Sequence, residues 1–136
     1  MDRRTFLISA AASGLALPAF AGAGIAYTPG LVSKKLAEGD TVFVDFYTEW
    51  CTTCARQQRI LAKLKSENPA YEKNITFVSV DWDQHSRSKL SQSLKIPRRS
   101  TLVALSGKEE LGRIVAGTRE SDIKALLDKS LKSAMA

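Results

Sequence analysis

The chain has 136 residues, 44% of them apolar and 25% charged, with a formal net charge of +6. That length fits one domain plus a short extension, and the composition is that of an ordinary soluble globular chain. The basic residues are scattered, with no run longer than two and no interleaved aromatic residues for base stacking, so the positive excess does not mark a nucleic-acid surface. Two cysteines, Cys51 and Cys54, are too few for a disulfide-stapled mini-protein. They are also half of a four-cysteine zinc site, with one histidine, His85, to help. A lone Cys-x-x-Cys points first to redox chemistry.

Residues 1–21 read as an address rather than as fold. Asp2-Arg3-Arg4-Thr5-Phe6-Leu7 is charged, an Ala-rich, weakly apolar stretch runs from Ile8 to Phe20, and Ala19-Phe20-Ala21 supplies small residues where a signal peptidase cuts. The pair Arg3-Arg4 before Thr5-Phe6-Leu7 resembles the twin-arginine export signal; the alternative is a general secretory leader with two arginines in its basic region. The apolar stretch is shorter and more dilute than the roughly 20 residues of a membrane-spanning helix. The expectation is a cleavable leader over 1–21, contact with a membrane only during export, and a periplasmic domain over 22–136, where a cysteine pair is held oxidised or kept reduced by a dedicated donor.

In the remaining chain, Thr28-Pro29 predicts a helix start and Gly39-Asp40 its end. Thr41 to Tyr47 is β-branched and aromatic and reads as a buried strand. From Cys51 the pattern turns helical, with Ile60, Leu61 and Leu64 on one face, Arg56, Arg59, Lys63 and Lys65 mostly outside it, and Asn68-Pro69 as the stop. Ile75 to Val80 is a second buried strand, Ser86 to Leu94 a short helix, and Thr101 to Leu105 a third strand. Ser106-Gly107-Lys108 turns the chain into a hairpin strand over Glu110 to Val115, and Ile123, Leu126, Leu127 and Leu131 mark a last helix. Strands separated by helices imply parallel crossovers, so the expected fold is α/β: a mixed sheet of about four strands with helices on both faces.

The stretch Val42-Phe43-Val44-Asp45-Phe46-Tyr47-Thr48-Glu49-Trp50-Cys51-Thr52-Thr53-Cys54 resembles the thioredoxin family, in which an apolar strand with a buried Asp runs into Trp-Cys-x-x-Cys at a helix start. Asp45 stands six residues before Cys51, the family spacing, and the likeness continues through Phe77-Val78-Ser79-Val80-Asp81 and the closing hairpin to the last helix. The resemblance implies a thioredoxin-like fold and a thiol–disulfide oxidoreductase that exchanges disulfides with protein thiols and a redox partner, as a monomer and without a cofactor. A helix N-terminus stabilises a thiolate at Cys51, and Cys54, one turn on, lies within reach to resolve a mixed disulfide there. By the same resemblance Asp45 is the proton acceptor for the resolving cysteine, its pKa raised by desolvation, and Trp50 shields one side of the pair.

Where the family has a cis-proline opposite the cysteines, this chain reads Ile96-Pro97-Arg98-Arg99-Ser100-Thr101-Leu102. Aligning Thr101-Leu102 with the family's Thr-Leu puts Ser100 at the proline position; the alternative makes Pro97 that proline and lengthens the loop. Because a non-proline cis bond costs about 2.5–4 kcal/mol, Ser100 is open to a trans bond, which alters the loop that meets substrate through Arg99, Ser100 and Thr101. Arg98 and Arg99 bring positive charge towards Cys51. Ser79 replaces a family lysine near the buried Asp, and with only a few residues before Thr28 the family's first strand has no evident counterpart.

Other readings stand beside these. Cys51 and Cys54 as an inert structural disulfide gain little from so short a loop. As soft ligands for Cu(I) or Zn(II) they lack a His- or Met-rich tract. A non-catalytic binding scaffold leaves the intact Cys51, Cys54 and Asp45 unexplained. Trp50 as plain core, Asp45 on a solvent-facing edge, Tyr47 and Trp82 as packing, and His85 as a surface loop residue are the plain alternatives for single positions.

Overall fold

The computed structural model describes residues 24–136; the leader expected over 1–21 lies outside the described residues. In chain order the elements are β1 (Ile25–Ala26), α1 (Leu31–Ala37), β2 (Thr41–Tyr47), α2 (Thr52–Glu67), α3 (Ala70–Asn74), β3 (Ile75–Asp81), α4 (Trp82–His85), α5 (Lys89–Ser93), β4 (Thr101–Ser106), β5 (Glu109–Val115) and α6 (Glu120–Ala134). The strands form one sheet in the order β1-β3-β2-β4-β5. Strands β1 and β2 run parallel to β3, while β4 is antiparallel to β2 and β5 to β4. Among the described residues, no helix is long and apolar enough to cross a membrane.

Alternation along the strands divides the core into two layers. Phe43, Phe77, Leu102 and Ala104 face α2, α3 and α6, where Leu61, Leu64, Tyr71, Ile123, Leu126 and Leu127 close over them. Val42, Val44, Phe46, Val78, Val80, Val103 and Leu105 face the other way, against Tyr27 and Val32 and the partly buried Leu36, Trp82, Leu90 and Leu94. Strand β2 therefore has neighbours on both edges and both faces, and Val42, Val44 and Phe46 have no exposed surface. Burial of side chains of this size contributes about 1.5–3 kcal/mol each.

The mixed α/β sheet with helices on both faces is as the sequence predicts, with five strands rather than about four. The added strand is β1, the first strand for which the sequence shows no counterpart. Two residues suffice because Ile25 pairs with Val78 and Ala26 with Ser79, and the Tyr27 N–H then donates to the Ser79 carbonyl at 2.9 Å. Two helix boundaries also differ. Thr28 does not cap α1: its carbonyl accepts from Leu31 N–H in a turn, and Gly30, at φ 88°, takes the cap position. The helix expected over Ser86 to Leu94 is two short ones, because the Asp81 carboxylate caps Trp82–His85 and the Ser88 hydroxyl starts a fresh helix by accepting from Ser91 N–H. The stop at Asn68-Pro69 holds, but Pro69 at once opens the short α3.

Gly24 lets β1 reach the sheet. Its φ is +94°, and a Cβ there would lie 2.6 Å from the Phe77 carbonyl oxygen. Gly24→Ala is expected to destabilise the protein by about 1–3 kcal/mol. Hydrogen exchange should show the Tyr27 amide losing protection while the β2 and β3 amides keep theirs; unchanged protection at Tyr27 would contradict this role.

Candidate active site

Strand β2 delivers the chain to the site. It ends at Tyr47, Thr48 turns inward and is buried, and Glu49 and Trp50 are exposed. Cys51 is the N-cap of α2, with extended backbone (φ −86°, ψ 112°), and its Sγ accepts from Cys54 N–H at 3.1 Å. The two cysteines form a disulfide with Cα atoms 5.2 Å apart. Cys51 is 4% exposed and Cys54 0%, so an incoming sulfur reaches Cys51. When the bond is reduced, negative charge on Cys51 meets the free N–H groups of the first turn of α2, which holds no acidic residue to compete.

Ser100, not Pro97, stands against the sulfurs. Its side-chain oxygen lies 3.1 Å from Cys51 Sγ and 3.1 Å from Cys54 Sγ, and the residue is fully buried. Among the described residues no peptide bond is cis. Ser100 instead has φ 65°, a left-handed conformation that β-carbon crowding disfavours by about 1–2 kcal/mol. Surrounding hydrogen bonds hold it there: its N–H donates to the Phe46 carbonyl at 2.7 Å, and its own carbonyl accepts from Ala116 N–H at 2.8 Å and Gln57 Nε2 at 3.0 Å. Gln57 also donates to the Gly117 carbonyl at 2.9 Å, so one buried side chain from α2 ties down the loops at both ends of the β4–β5 hairpin.

The other residues singled out by sequence divide into two groups. Trp50 is 61% exposed and is not core; its indole N–H donates to Asp83 at 2.9 Å. The Arg99 guanidinium lies over the same ring, 4.4 Å from its centre. Arg99 thus meets the site through Trp50, and Arg98 turns back to donate from Nε to the Arg99 carbonyl at 2.9 Å. Thr101 is fully buried and donates to the Arg98 carbonyl at 2.7 Å, so its side chain braces the loop from within. Tyr47 is partly buried, and Trp82 packs edge-on against Phe46. His85 is not a loop residue: it ends α4 and packs edge-on against Tyr27, with ring centres 4.9 Å apart.

Asp45 points into the layer beneath α2, 5% exposed, opposite Ser79 on β3. Its Oδ2 accepts from Gln58 Nε2 at 3.3 Å, and its Oδ1 is buried without a hydrogen-bond donor. Burial raises its pKa from 3.8 to about 7, against smaller opposing pulls from Gln58 and from the Lys65 ammonium. Lys65 corrects the sequence reading twice. It is buried rather than outside the apolar face, its ammonium 3.9 Å from the centre of the Phe77 ring and 3.6 Å from Glu72. It also brings from the helix a positive charge that the sequence, with Ser79 on the strand, does not lead one to expect. Gln57 and Gln58 are the site residues that sequence reasoning missed. Their spacing from Cys54 put them on the inner face of α2, but amides next to two basic residues read as helix surface.

A reachable cysteine at a helix N-cap, a shielded one in the first turn, and a neutral-leaning carboxyl beneath the same helix define a dithiol–disulfide exchange site. The thioredoxin family model matches residues 30–129, and the chain belongs to the thioredoxin family, a thiol–disulfide oxidoreductase by fold and by site. A thioredoxin of Chlamydia pneumoniae is 27% identical over 88 residues, covering 65% of this chain and 80% of that protein. The crystal structure of Trxlp from Edwardsiella tarda superposes with a TM-score of 0.64 at 28% identity, covering 76% of this chain and 98% of that one. A thioredoxin of Nicotiana alata gives the same TM-score, 0.64, at 18% identity, over 85% of this chain and 98% of its own.

The Asp45 carboxyl makes stability depend on pH. Its folded pKa lies above its unfolded one, so between them the folded state binds more protons, and stability falls as pH rises from about 4 to about 7 and then levels off. The loss across that window amounts to about 4 kcal/mol. Asp45→Asn, which cannot ionise, should unfold at higher denaturant than the parent at pH 8 and match it more closely at pH 4. Equal denaturation midpoints for the two proteins at pH 8 would refute the assignment.

Proposed function

We propose that this protein is an exported, periplasmic oxidoreductase that exchanges disulfides with other proteins through Cys51 and Cys54. The observation that carries the reading is the pair itself: a disulfide at the N-cap of α2 with Cys51 alone reachable. In the reducing direction the Cys51 thiolate attacks one sulfur of a substrate disulfide. The Cys51–substrate bond forms, the substrate disulfide breaks, and the departing thiolate takes up a proton. Cys54 then gives its proton to Asp45 and attacks the Cys51 sulfur, expelling the second substrate thiolate. The substrate gains two electrons, and Cys51 and Cys54 are left oxidised. A carboxyl with a pKa near 7 suits that proton transfer because it can both accept and release a proton at working pH. The exposed Trp50 and the Arg99 stacked on it offer a partner protein an aromatic and cationic surface beside Cys51. The leader-like residues 1–21, with Arg3-Arg4, support export by the twin-arginine route.

Two experiments test this. Titrated against glutathione buffers, with tryptophan fluorescence as the readout, the protein should show one reversible two-electron transition that Cys51→Ser abolishes. A midpoint near about −270 mV identifies a reductase that needs a donor, and one near about −120 mV an oxidant. With no transition the exchange reading fails. In cells, replacing Arg3 and Arg4 together by Lys should hold the protein in the cytoplasm, whereas undiminished export would exclude the twin-arginine route.

A further inference from the structure

We propose that the Ser100 hydroxyl is a catalytic hydrogen-bond donor that follows the negative charge from Cys51 to Cys54 during exchange. The inference rests on the exchange reading above but concerns a group outside the Cys-x-x-Cys pair. A hydroxyl has one proton to donate and two lone pairs to accept with, and this one lies 3.1 Å from each sulfur. In the reduced protein it can therefore donate to one sulfur while accepting from the S–H of the other.

The surroundings decide which. Cys51 Sγ already accepts from Cys54 N–H and sits at the N-terminus of α2, so the thiolate belongs on Cys51. The Ser100 O–H then donates to that thiolate, and Cys54 S–H donates to the Ser100 oxygen. Ser100 thus helps to keep the entering cysteine ionised and the resolving one protonated until needed. Once Cys51 is joined to a substrate sulfur it carries no charge, and the Ser100 hydroxyl is released. It can then turn towards Cys54 and stabilise the thiolate formed when Cys54 loses its proton. No covalent bond to Ser100 is made or broken at either step.

Two further observations support a site built for this purpose. Ser100 is held at φ 65°, where serine is strained, by three backbone-directed hydrogen bonds from β2, α2 and the loop after β5. It has no exposed surface, so water does not compete for the hydroxyl. A proline in its place has no group to donate. Charged groups around the pair in chain or in space include Asp45 on β2, Glu49 before Trp50, Arg56 and Arg59 on α2, Asp83 on α4, and Arg98 and Arg99 beside Ser100. A change at Ser100 alone leaves all of them in place.

The test is the pKa of Cys51 in chemically reduced protein, read from the pH dependence of its alkylation rate and of thiolate absorbance. Ser100→Gly removes the hydroxyl and accepts a positive φ without strain, so it keeps the loop; Ser100→Ala removes the hydroxyl alone. Both should raise the Cys51 pKa by about one unit, a tenfold loss of thiolate below the pKa. Each tenfold loss should lower the reduction potential by about 30 mV, because the reduced state is what the hydroxyl stabilises. In a Cys54→Ser background the same substitutions should slow Cys51 attack on a model disulfide at pH values below the pKa. A folded Ser100→Gly protein with its Cys51 pKa unchanged would overturn the proposal. Reduced protein can be titrated whether or not it exchanges disulfides. Failure of the exchange reading would appear instead as the absence of a redox transition in the parent.

Discussion

The site depends on where strand β2 ends. Strand β2 is hydrogen-bonded to β3 on one edge and β4 on the other, with apolar side chains filling both faces. Beyond its last residue, Thr48 lies inside, Trp50 outside, and Cys51 at the N-cap of α2. Because β4 pairs antiparallel with β2, the loop that leads into β4 arrives at this same end of the sheet, which brings Ser100 to the sulfurs. Register in the centre of the sheet thus sets distances in the site, and a one-residue slip would turn Asp45 to the opposite layer.

The same rigidity sustains groups that are unfavourable on their own. A carboxyl sits beneath α2 with one oxygen unpaired, a lysine is buried against Phe77, and a serine is held at positive φ. Each is disfavoured locally; the serine touches both sulfurs, the carboxyl clusters with it beneath α2, and the lysine, farther along the helix, acts on that carboxyl through its charge. Such clustering is what a site tuned for proton and electron movement requires, since groups at ease in water have no reason to change state near neutral pH. The packing of the two apolar layers offsets the unfavourable terms.

Compared with a proline at the corresponding place, Ser100 gives the loop a different chemical character. Proline fixes its backbone through its ring and offers the sulfurs only carbon. Here the backbone is fixed from outside, by Phe46, Ala116 and Gln57, and the side chain is free to be polar. Gln57 connects the two designs: a buried amide on α2, one turn beyond Cys54, supplies the restraint that a ring would have supplied.

Much of this was legible in the sequence. Strands β2, β3, β4 and β5 and helices α2 and α6 follow from runs of β-branched residues and from apolar spacing, signals that neighbours in the chain carry by themselves. The reach of Cys54 to Cys51 follows from helix periodicity, one turn apart, whereas the burial of Asp45 was implied by the resemblance of one continuous stretch to the thioredoxin family and by its apolar neighbours. Strand β1 was not legible: two residues carry no period, and Ile25–Ala26 is a strand only because β3 offers an open edge. The break between α4 and α5 was hidden because capping by Asp81 and Ser88 competes with a helical pattern that runs through both. Lys65 read as a surface residue because its charge outweighs its position in any one-dimensional reading. Only the folded chain supplies the Phe77 ring and Glu72 that hold it. The contact of Ser100 with both sulfurs joins residues nearly fifty positions apart, and alignment could suggest the position but not the hydrogen bonds. The sequence by itself determined the four longer strands, the two long helices and which two atoms exchange electrons. Tertiary structure alone decided what surrounds those atoms, because the charge, burial and hydrogen bonding that tune a sulfur come from segments that meet only when the sheet has closed.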